Sequence, residues 1–486
     1  MTTDLSLSTL SQLPKRVSVP SYARADLTPG ILHIGMGNFH RAHQAVYLDR
    51  LFELGEDHDW AIVGAGIMPF DAERRALLQA QDWLTTVVEL SPETYAARVT
   101  GAMIDFCPID ARAVIQRIAD PAIRIVSLTI TEGGYFIDAA NGAFDAAHPD
   151  IRHDAATPEA PVTVFGILLA GLRQRRESGH PPPTILSCDN IPENGHVTRQ
   201  ALAGLAGLVA GDLRDWIEKE VAFPNSMVDR ITPATSASKR AMVAETFGIN
   251  DAAPVVCEPF AQWVMEDHFP LGRPALEKVG VAFVDDIAAY ERMKLRLLNA
   301  SHAALSYPAA LMGHDCVHEA VADREIFDWI EQLMRSEVIP LLAPIPGVDY
   351  DHYLATCLDR FANPEVRDTI ARLCQDGSNR QPKFILPSIA DALAQGRPLD
   401  GLALEVALWC RYCAESDALD DPRAERLRAA ARRSRQAPAA FLALTEVFGT
   451  LGQQARFAHA FARQIDAVWA GDVRSALRRF LNQKAA

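Results

Sequence analysis

Four apolar runs, rich in β-branched residues, mark the first third of the chain: Ile31 to Ile34, Trp60 to Ile67, Leu84 to Leu90 and Ile123 to Ile130. Consecutive rather than alternating apolar positions are how a strand covered on both faces reads. Between these runs, Phe39 to Leu54 and Asp71 to Gln81 place apolar residues at helical spacing. Strand–helix–strand alternation predicts a parallel sheet with right-handed crossovers. Thr184 to Cys188, after the turn-rich Gly179 to Pro183, and Gly280 to Val284 are further candidate strands. Past Asp285 the pattern changes: Ala, Leu and Arg recur at helical spacing to the end, broken by turns near Pro340 to Pro346, Gly377 to Pro387 and Gly396 to Pro398. The expected division is therefore an α/β domain over residues 1–285 and a mainly α-helical domain over 286–486.

Length and composition agree with two domains. A chain of 486 residues is too long for one ordinary core, and 49% apolar against 22% charged residues is a globular balance. With 62 acidic and 47 basic residues the formal charge is −15, which argues against nucleic acid or an anionic membrane as partner. The basic cluster Arg423 to Arg435 alternates with Ala and Leu and reads as a solvated helix face. Met1 to Pro14 lacks the pattern of a secretory signal, and no run of about 18 apolar residues suggests a membrane span. The eight scattered cysteines read as reduced thiols, and the expected location is cytoplasmic. Cys410 and Cys413 form a C-x-x-C inside the apolar stretch Leu402 to Tyr412, with no second pair, and read as core packing.

The first strand ends in Ile34-Gly35-Met36-Gly37-Asn38-Phe39-His40. A G-x-G after a strand and before a helix turns the chain sharply and lets the backbone approach a pyrophosphate, the Rossmann-type dinucleotide signal. The third glycine is replaced by His40. After the second strand the nearest acid is Asp71, the candidate for the adenosine ribose, so NAD is favoured. Arg74 and Arg75 follow it, either to meet the 2′-phosphate of NADP or as an exposed helical turn, and NADP stays open.

Oxidising an alcohol requires a base for the hydroxyl proton and donors for the oxygen as it becomes alkoxide-like. Zinc is one route, but His314, Cys316, His318 and Glu319 do not share one helical face, and no metal is expected. Protein groups are the other. On a regular α-helix Asn299 and His302 are neighbours, and Lys294 lies within roughly 140° of both. A lysine desolvated there can serve as a base near neutrality. The alternative is an ordinary amphipathic helix with a surface lysine. Asn190 follows a strand end, where open α/β sheets gather ligands, although Asp189-Asn190 is also a common turn.

Together these segments resemble the mannitol 2-dehydrogenase family, the polyol-specific long-chain dehydrogenases and reductases. The resemblance is carried by Gly35 to His43, Thr131-Glu132-Gly133-Gly134-Tyr135, Ser187-Cys188-Asp189-Asn190, Phe223 to Pro233, Lys294 to His302 and Asp376 to Phe384, in family order along nearly the whole chain. It implies a Rossmann-type N-terminal domain, a mainly α-helical C-terminal domain, and metal-independent oxidation of a polyol to its ketose, D-mannitol to D-fructose first among them. It further implies Lys294 as general base, Asn190 and Asn299 as oxyanion donors, His302 as orienting group and Glu291 as a carboxylate linked to proton passage. Ile34, Gly35, Gly37, Asn38, Phe39 and Thr131 fall in its cofactor segments, and Asp229, Lys383 and Arg372 or Arg380 match positions near the polyol. Two other readings are a hexuronate (fructuronate or tagaturonate) reductase, for which Arg372, Arg380 and Lys383 would bind the extra carboxylate, and a dinucleotide-sensing protein without turnover. Which polyol is used and the oligomeric state are not legible.

Overall fold

A computed structural model describes residues 2–138 and 142–484. The chain divides into two compact units, Met1–Ala288 and Ala289–Ala486.

The first unit is built on five parallel strands: β1 (Pro29–Ile34), β2 (Ala61–Ala65), β3 (Met103–Phe106), β4 (Ile125–Leu128) and β5 (Thr184–Ser187). Their order is β3-β2-β1-β4-β5, the doubly wound arrangement in which the crossovers reverse direction beside β1. Every residue of β2, β4 and β5 is buried, which is why β2 reads as an unbroken apolar run and why β4 and β5 admit only small hydroxyl residues, Ser127, Thr184 and Ser187, among their apolar ones. The crossover from β1 to β2 is α1 (Asn38–Ala42) and α2 (Gln44–Glu53), and α3 (Asp71–Ala80) leads on from β2.

Two expectations change. Leu84 to Leu90 is not a strand of this sheet: Thr85–Leu90 turns back through a four-residue loop and pairs antiparallel with Tyr95–Thr100, in a separate four-stranded sheet. A loop that short closes a hairpin and leaves no room for the helix a parallel crossover needs. The single helix expected over Phe39 to Leu54 is broken at His43 (φ −119°, ψ −89°), whose imidazole bonds the Gln262 carbonyl at 3.0 Å and packs on Trp263.

The second unit is helical throughout, around an aromatic core. Trp409 meets Phe441 edge-on at 5.0 Å, and Trp329 meets Phe480 at 4.9 Å. The helix Ala300–Met312 contains Pro308, which cannot donate to the carbonyl of Ala304 four residues earlier. Trp329 donates its indole N–H to that carbonyl at 3.0 Å, so the proline leaves no buried acceptor unmet. Buried Glu337 accepts the N–H groups of Gly401 and Leu402, both at 3.0 Å, and so caps the helix Asp400–Glu415. All eight cysteines are free thiols. Cys410 and Cys413 are fully buried, and burial pushes both thiols up, as core packing requires.

Candidate active site

The glycine turn fits a dinucleotide. Gly35 has φ +106°, and a Cβ there would lie 2.0 Å from the Thr129 carbonyl oxygen, so no other residue is tolerated. Its N–H donates to Ala65 at 3.0 Å, and its carbonyl accepts from Thr129 Oγ1 at 2.6 Å. Gly37 is exposed with nothing within 4 Å of where a Cβ would stand, an open backbone approach of the kind a pyrophosphate needs. Phe39 stacks on His43 at 4.8 Å, and the Asn38 amide donates toward Pro233 O and Thr235 Oγ1.

His40 stands where the third glycine of the motif would let helix and strand pack closely. Here the contact is a stack on His33 of β1, with the rings 3.5 Å apart. His33 Nδ1 is 2.8 Å from Ser127 Oγ, which donates to Gln44 Oε1, and His33 Nε2 lies 3.1 Å from the Gly35 carbonyl oxygen. Burial drives the His33 pKa down to about 3 and holds His40 well below the ordinary imidazole value. The sequence carried a signal for this, a histidine in a glycine position, but not its partner.

At the end of β2, Asp71 begins α3, accepts the Met68 N–H at 2.9 Å and lies against Gly66, where a Cβ would meet its carboxylate. The two arginines that follow diverge. Arg75 turns to the Phe106 and Cys107 carbonyls, both at 3.1 Å, and lies over Trp83. Arg74 turns the other way, toward Asn38.

Asn190 is exposed just past β5, on a loop held at two points. Asp189 accepts the backbone N–H groups of Ile130 and Thr131, at 2.9 and 3.0 Å, and the Tyr135 hydroxyl at 2.7 Å. Burial raises the Asp189 pKa, and these donors partly offset it. The buried Asn194 amide donates to Ser187 O, Asp189 O and Ser226 O. Thr131 is held at φ +65°, a conformation a β-branched residue avoids unless its surroundings impose it. Asp229 ends the strand Ser226–Asp229 in a buried position. The adjacent Arg230, which sequence reasoning passed over, is fully engaged with Ala42 O, Glu258 O and Glu89.

In the second unit, Ala288–Met293 runs into a π-helical turn, Lys294–Asn299, and then into Ala300–Met312. The i→i+5 bonding of a π-turn places residues five apart one above the other, as residues four apart stand in an α-helix. Lys294 and Asn299 are five apart, so the turn closes the 140° that regular α geometry leaves between them. Lys294 is buried, at 7% exposure, and Glu291 lies one turn before it. The His302 ring is fixed by stacking on Phe361 at 4.1 Å. Arg296 faces away, donating to Ser388 Oγ and pairing with Asp391, and so anchors the turn to the helix Leu386–Ala394.

Of the distal cations, Arg372 is paired through two bonds with Asp368. Arg380 donates to the carbonyls of Arg372 and Leu373, while Lys383 is exposed on the helix Gly377–Phe384. The same helix rests on Glu405, fully buried, with Gln381 Nε2 donating to it at 2.7 Å; burial raises its pKa to about 8. Glu319 accepts the N–H groups of Asp315 and Cys316 as a helix cap. Among the described residues no three His, Cys, Asp or Glu side chains are grouped to hold a metal, and no helix is long and apolar enough to cross a membrane.

Comparison with known proteins gives the following. The family model described as the mannitol dehydrogenase Rossmann domain matches residues 29–278, and the mannitol dehydrogenase C-terminal domain matches 286–469. A mannitol 2-dehydrogenase of Cereibacter sphaeroides is 54% identical over 477 residues, covering 96% of this chain and 100% of the relative. One from Aspergillus fumigatus is 42% identical over 481 residues, covering 96% of each. Among solved structures, the Pseudomonas fluorescens mannitol 2-dehydrogenase ternary complex with NAD and D-mannitol aligns with a TM-score of 0.85 at 45% identity, covering 99% of this chain and 100% of that one. A D-sorbitol dehydrogenase in substrate-free form aligns with a TM-score of 0.91 at 34% identity, covering 97% and 100%.

Proposed function

The chain belongs to the mannitol dehydrogenase family, and from that premise we propose that it is an NAD-dependent mannitol 2-dehydrogenase, oxidising D-mannitol to D-fructose. The observation that carries the reading is the 54% identity to a mannitol 2-dehydrogenase over that relative's full length. Bound NAD supplies the hydride acceptor. Everything else falls to side chains of this chain. Neutral Lys294 takes the proton of the substrate hydroxyl at Nζ, and Glu291, one turn earlier, passes it on. The amides of Asn190 and Asn299 donate to the oxygen as negative charge develops on it. His302, held by its stack on Phe361, fixes where that oxygen lies. Gly35, Gly37, Asn38, Phe39, Ile34 and Thr131 form the cofactor cradle, with Asp71 at the adenosine ribose, and Asp229 and Lys383 attend the polyol chain.

Arg372 is a weaker member of that set, because its guanidinium is already paired with Asp368. The same commitment of Arg372, and that of Arg380 to two carbonyls, counts against a hexuronate substrate. Free thiols at all eight cysteines accord with a cytoplasmic location. The test is a panel of D-mannitol, D-arabinitol, D-glucitol and D-fructuronate with NAD, followed by absorbance of the reduced cofactor. D-mannitol is expected to give the highest kcat/KM. Preference for D-glucitol would move the chain toward the sorbitol dehydrogenase, and activity on a hexuronate alone would overturn the polyol reading.

A further inference from the structure

The π-helical turn Lys294–Asn299 interrupts two stretches of regular α-helix, Ala288–Met293 and Ala300–Met312. The wide i→i+5 bonding is the rarer choice for a helix, and it persists where the surroundings impose it. Regular α bonding over the same six residues would set Asn299 roughly 140° around the axis from Lys294. Three side chains between those two are buried and able to hold the turn: Arg296, Leu297 and Leu298. The leucines lie in the apolar core, where contacts exclude water but carry no direction. Arg296 differs in kind. Its planar guanidinium makes two directed bonds, from Nη1 to Ser388 Oγ at 2.7 Å and from Nη2 to Asp391 Oδ2 at 2.9 Å.

Ser388 is fully buried, so the first bond is sheltered from water, and Asp391 supplies the opposing charge at the rim. Burial disfavours the charge on Arg296, and the Asp391 carboxylate offsets this. Where residues five apart stand one above the other, the residue two after Lys294 emerges on the far side of the turn. Arg296 therefore grips the turn from behind the face that carries Lys294 and Asn299. Its partners lie on the helix Leu386–Ala394, which follows the helix of Arg380 and Lys383 after the single residue Ile385. One guanidinium thus ties the turn to the segment that continues from Lys383.

We propose that Arg296 is a positioning residue for the reaction, holding the π-turn in the register that stacks the Asn299 amide over the Lys294 amine. The proposal rests on the reading of Lys294 as base given above. Its test is stopped-flow absorbance of the first turnover at saturating NAD and D-mannitol. The amplitude counts folded enzyme and the rate constant reports the step at the substrate, so lost folding lowers the amplitude alone. Arg296→Met keeps the length of the side chain and leaves Asp391, 43% exposed, to be solvated. It is expected to lower the rate constant at least about tenfold, since a catalytic group displaced by about 1 Å can cost about a hundredfold. The dissociation constant of NAD should stay within about twofold. Arg296→Lys, which reaches only one of the two acceptors, should recover part of the loss. Asp391→Asn should lower the rate constant by a smaller factor, and should add nothing to Arg296→Met. A parent rate constant in Arg296→Met, or a loss seen only in the amplitude, overturns the proposal. If Arg296→Met does not fold, Asp391→Asn decides, and an unchanged rate constant there overturns it. Lys294→Ala is run alongside: a retained rate constant in that variant faults the base assignment, whereas its loss beside a parent rate in Arg296→Met faults the positioning role alone.

Discussion

The imidazoles of His33 and His40 stack 3.5 Å apart and 14° from parallel, sealed beneath the turn that presents Gly37. Both rings are held neutral by burial, His33 with a pKa near 3 against an ordinary value of 6.5. A base whose folded pKa is depressed contributes stability that is complete above its unfolded pKa and is lost as the pH falls toward the folded one. Acid sensitivity should therefore begin near pH 6.5 and deepen below it, by up to about 1.4 kcal/mol per pH unit for each ring. His40→Phe keeps a stacked ring and removes one titration. Urea midpoints measured between pH 8 and 5 should fall less steeply in this variant than in the parent, and equal slopes would exclude the pair as the cause.

Lys294→Ala should nearly abolish mannitol oxidation while leaving the dissociation constant of NAD within about twofold, since the lysine acts on the substrate proton and not on the nucleotide. Turnover close to that of the parent across the whole pH range would remove Lys294 from the role of base.

Asn190→Ala and Asn299→Ala should each lower kcat by about 10²–10³ with a smaller change in KM, because each amide is worth most when the oxygen carries charge. Steady-state kinetics on D-mannitol separates the two parameters. An effect confined to KM would mean that the amide binds the ground state only.

Asp189→Asn replaces one of the two oxygens that accept Ile130 and Thr131 with an amide NH2, which donates and cannot accept from either. A loss of about 1–3 kcal/mol is expected from the uncompensated N–H. Because Asn190 is the next residue, kcat should fall along with stability, and thermal melts with kinetics on the same preparation check both. Unchanged kcat in a destabilised protein would show that the clamp supports the fold alone.

Glu405 makes the opposite pH prediction from the histidines. Its folded pKa, raised to about 8, lies above the ordinary 4.5, so its contribution is complete in acid and is lost as the pH climbs between those values. Glu405→Gln retains an oxygen for Gln381 and cannot ionise. The variant should gain stability relative to the parent as the pH rises from 5 to 8, read from urea midpoints, and a gain independent of pH would point to packing instead.

Much of the first unit was legible because its strands are buried on both faces, and such strands announce themselves as apolar runs. Thr85–Leu90 shows the limit of that signal: its pattern matches β2, and only its pairing with Tyr95–Thr100 assigns it to another sheet. Met103–Phe106 escaped notice because it is short and carries Asp105. The break at His43 leaves the helical spacing of apolar residues intact, so no periodicity marks it. In the site, Gly35 was readable from chemistry alone, because one residue type satisfies its backbone. Whether Arg74 or Arg75 faces Asn38 depends on where Phe106 and Trp83 stand, and nothing local to the two arginines records that. The stacking of His302 on Phe361 joins residues nearly sixty positions apart and is equally invisible along the chain.

The π-helical turn at Lys294–Asn299 also bears on how this helix takes a change of length. Such a turn carries one residue more than regular α bonding needs, so it differs from an ordinary helix by a single residue. Deleting one residue between Lys294 and Asn299 would restore α bonding and leave the two four apart, still one above the other, with the helix on either side kept in phase. What the extra residue alters is the turn itself, where the i→i+5 bonding spaces the side chains between Lys294 and Asn299.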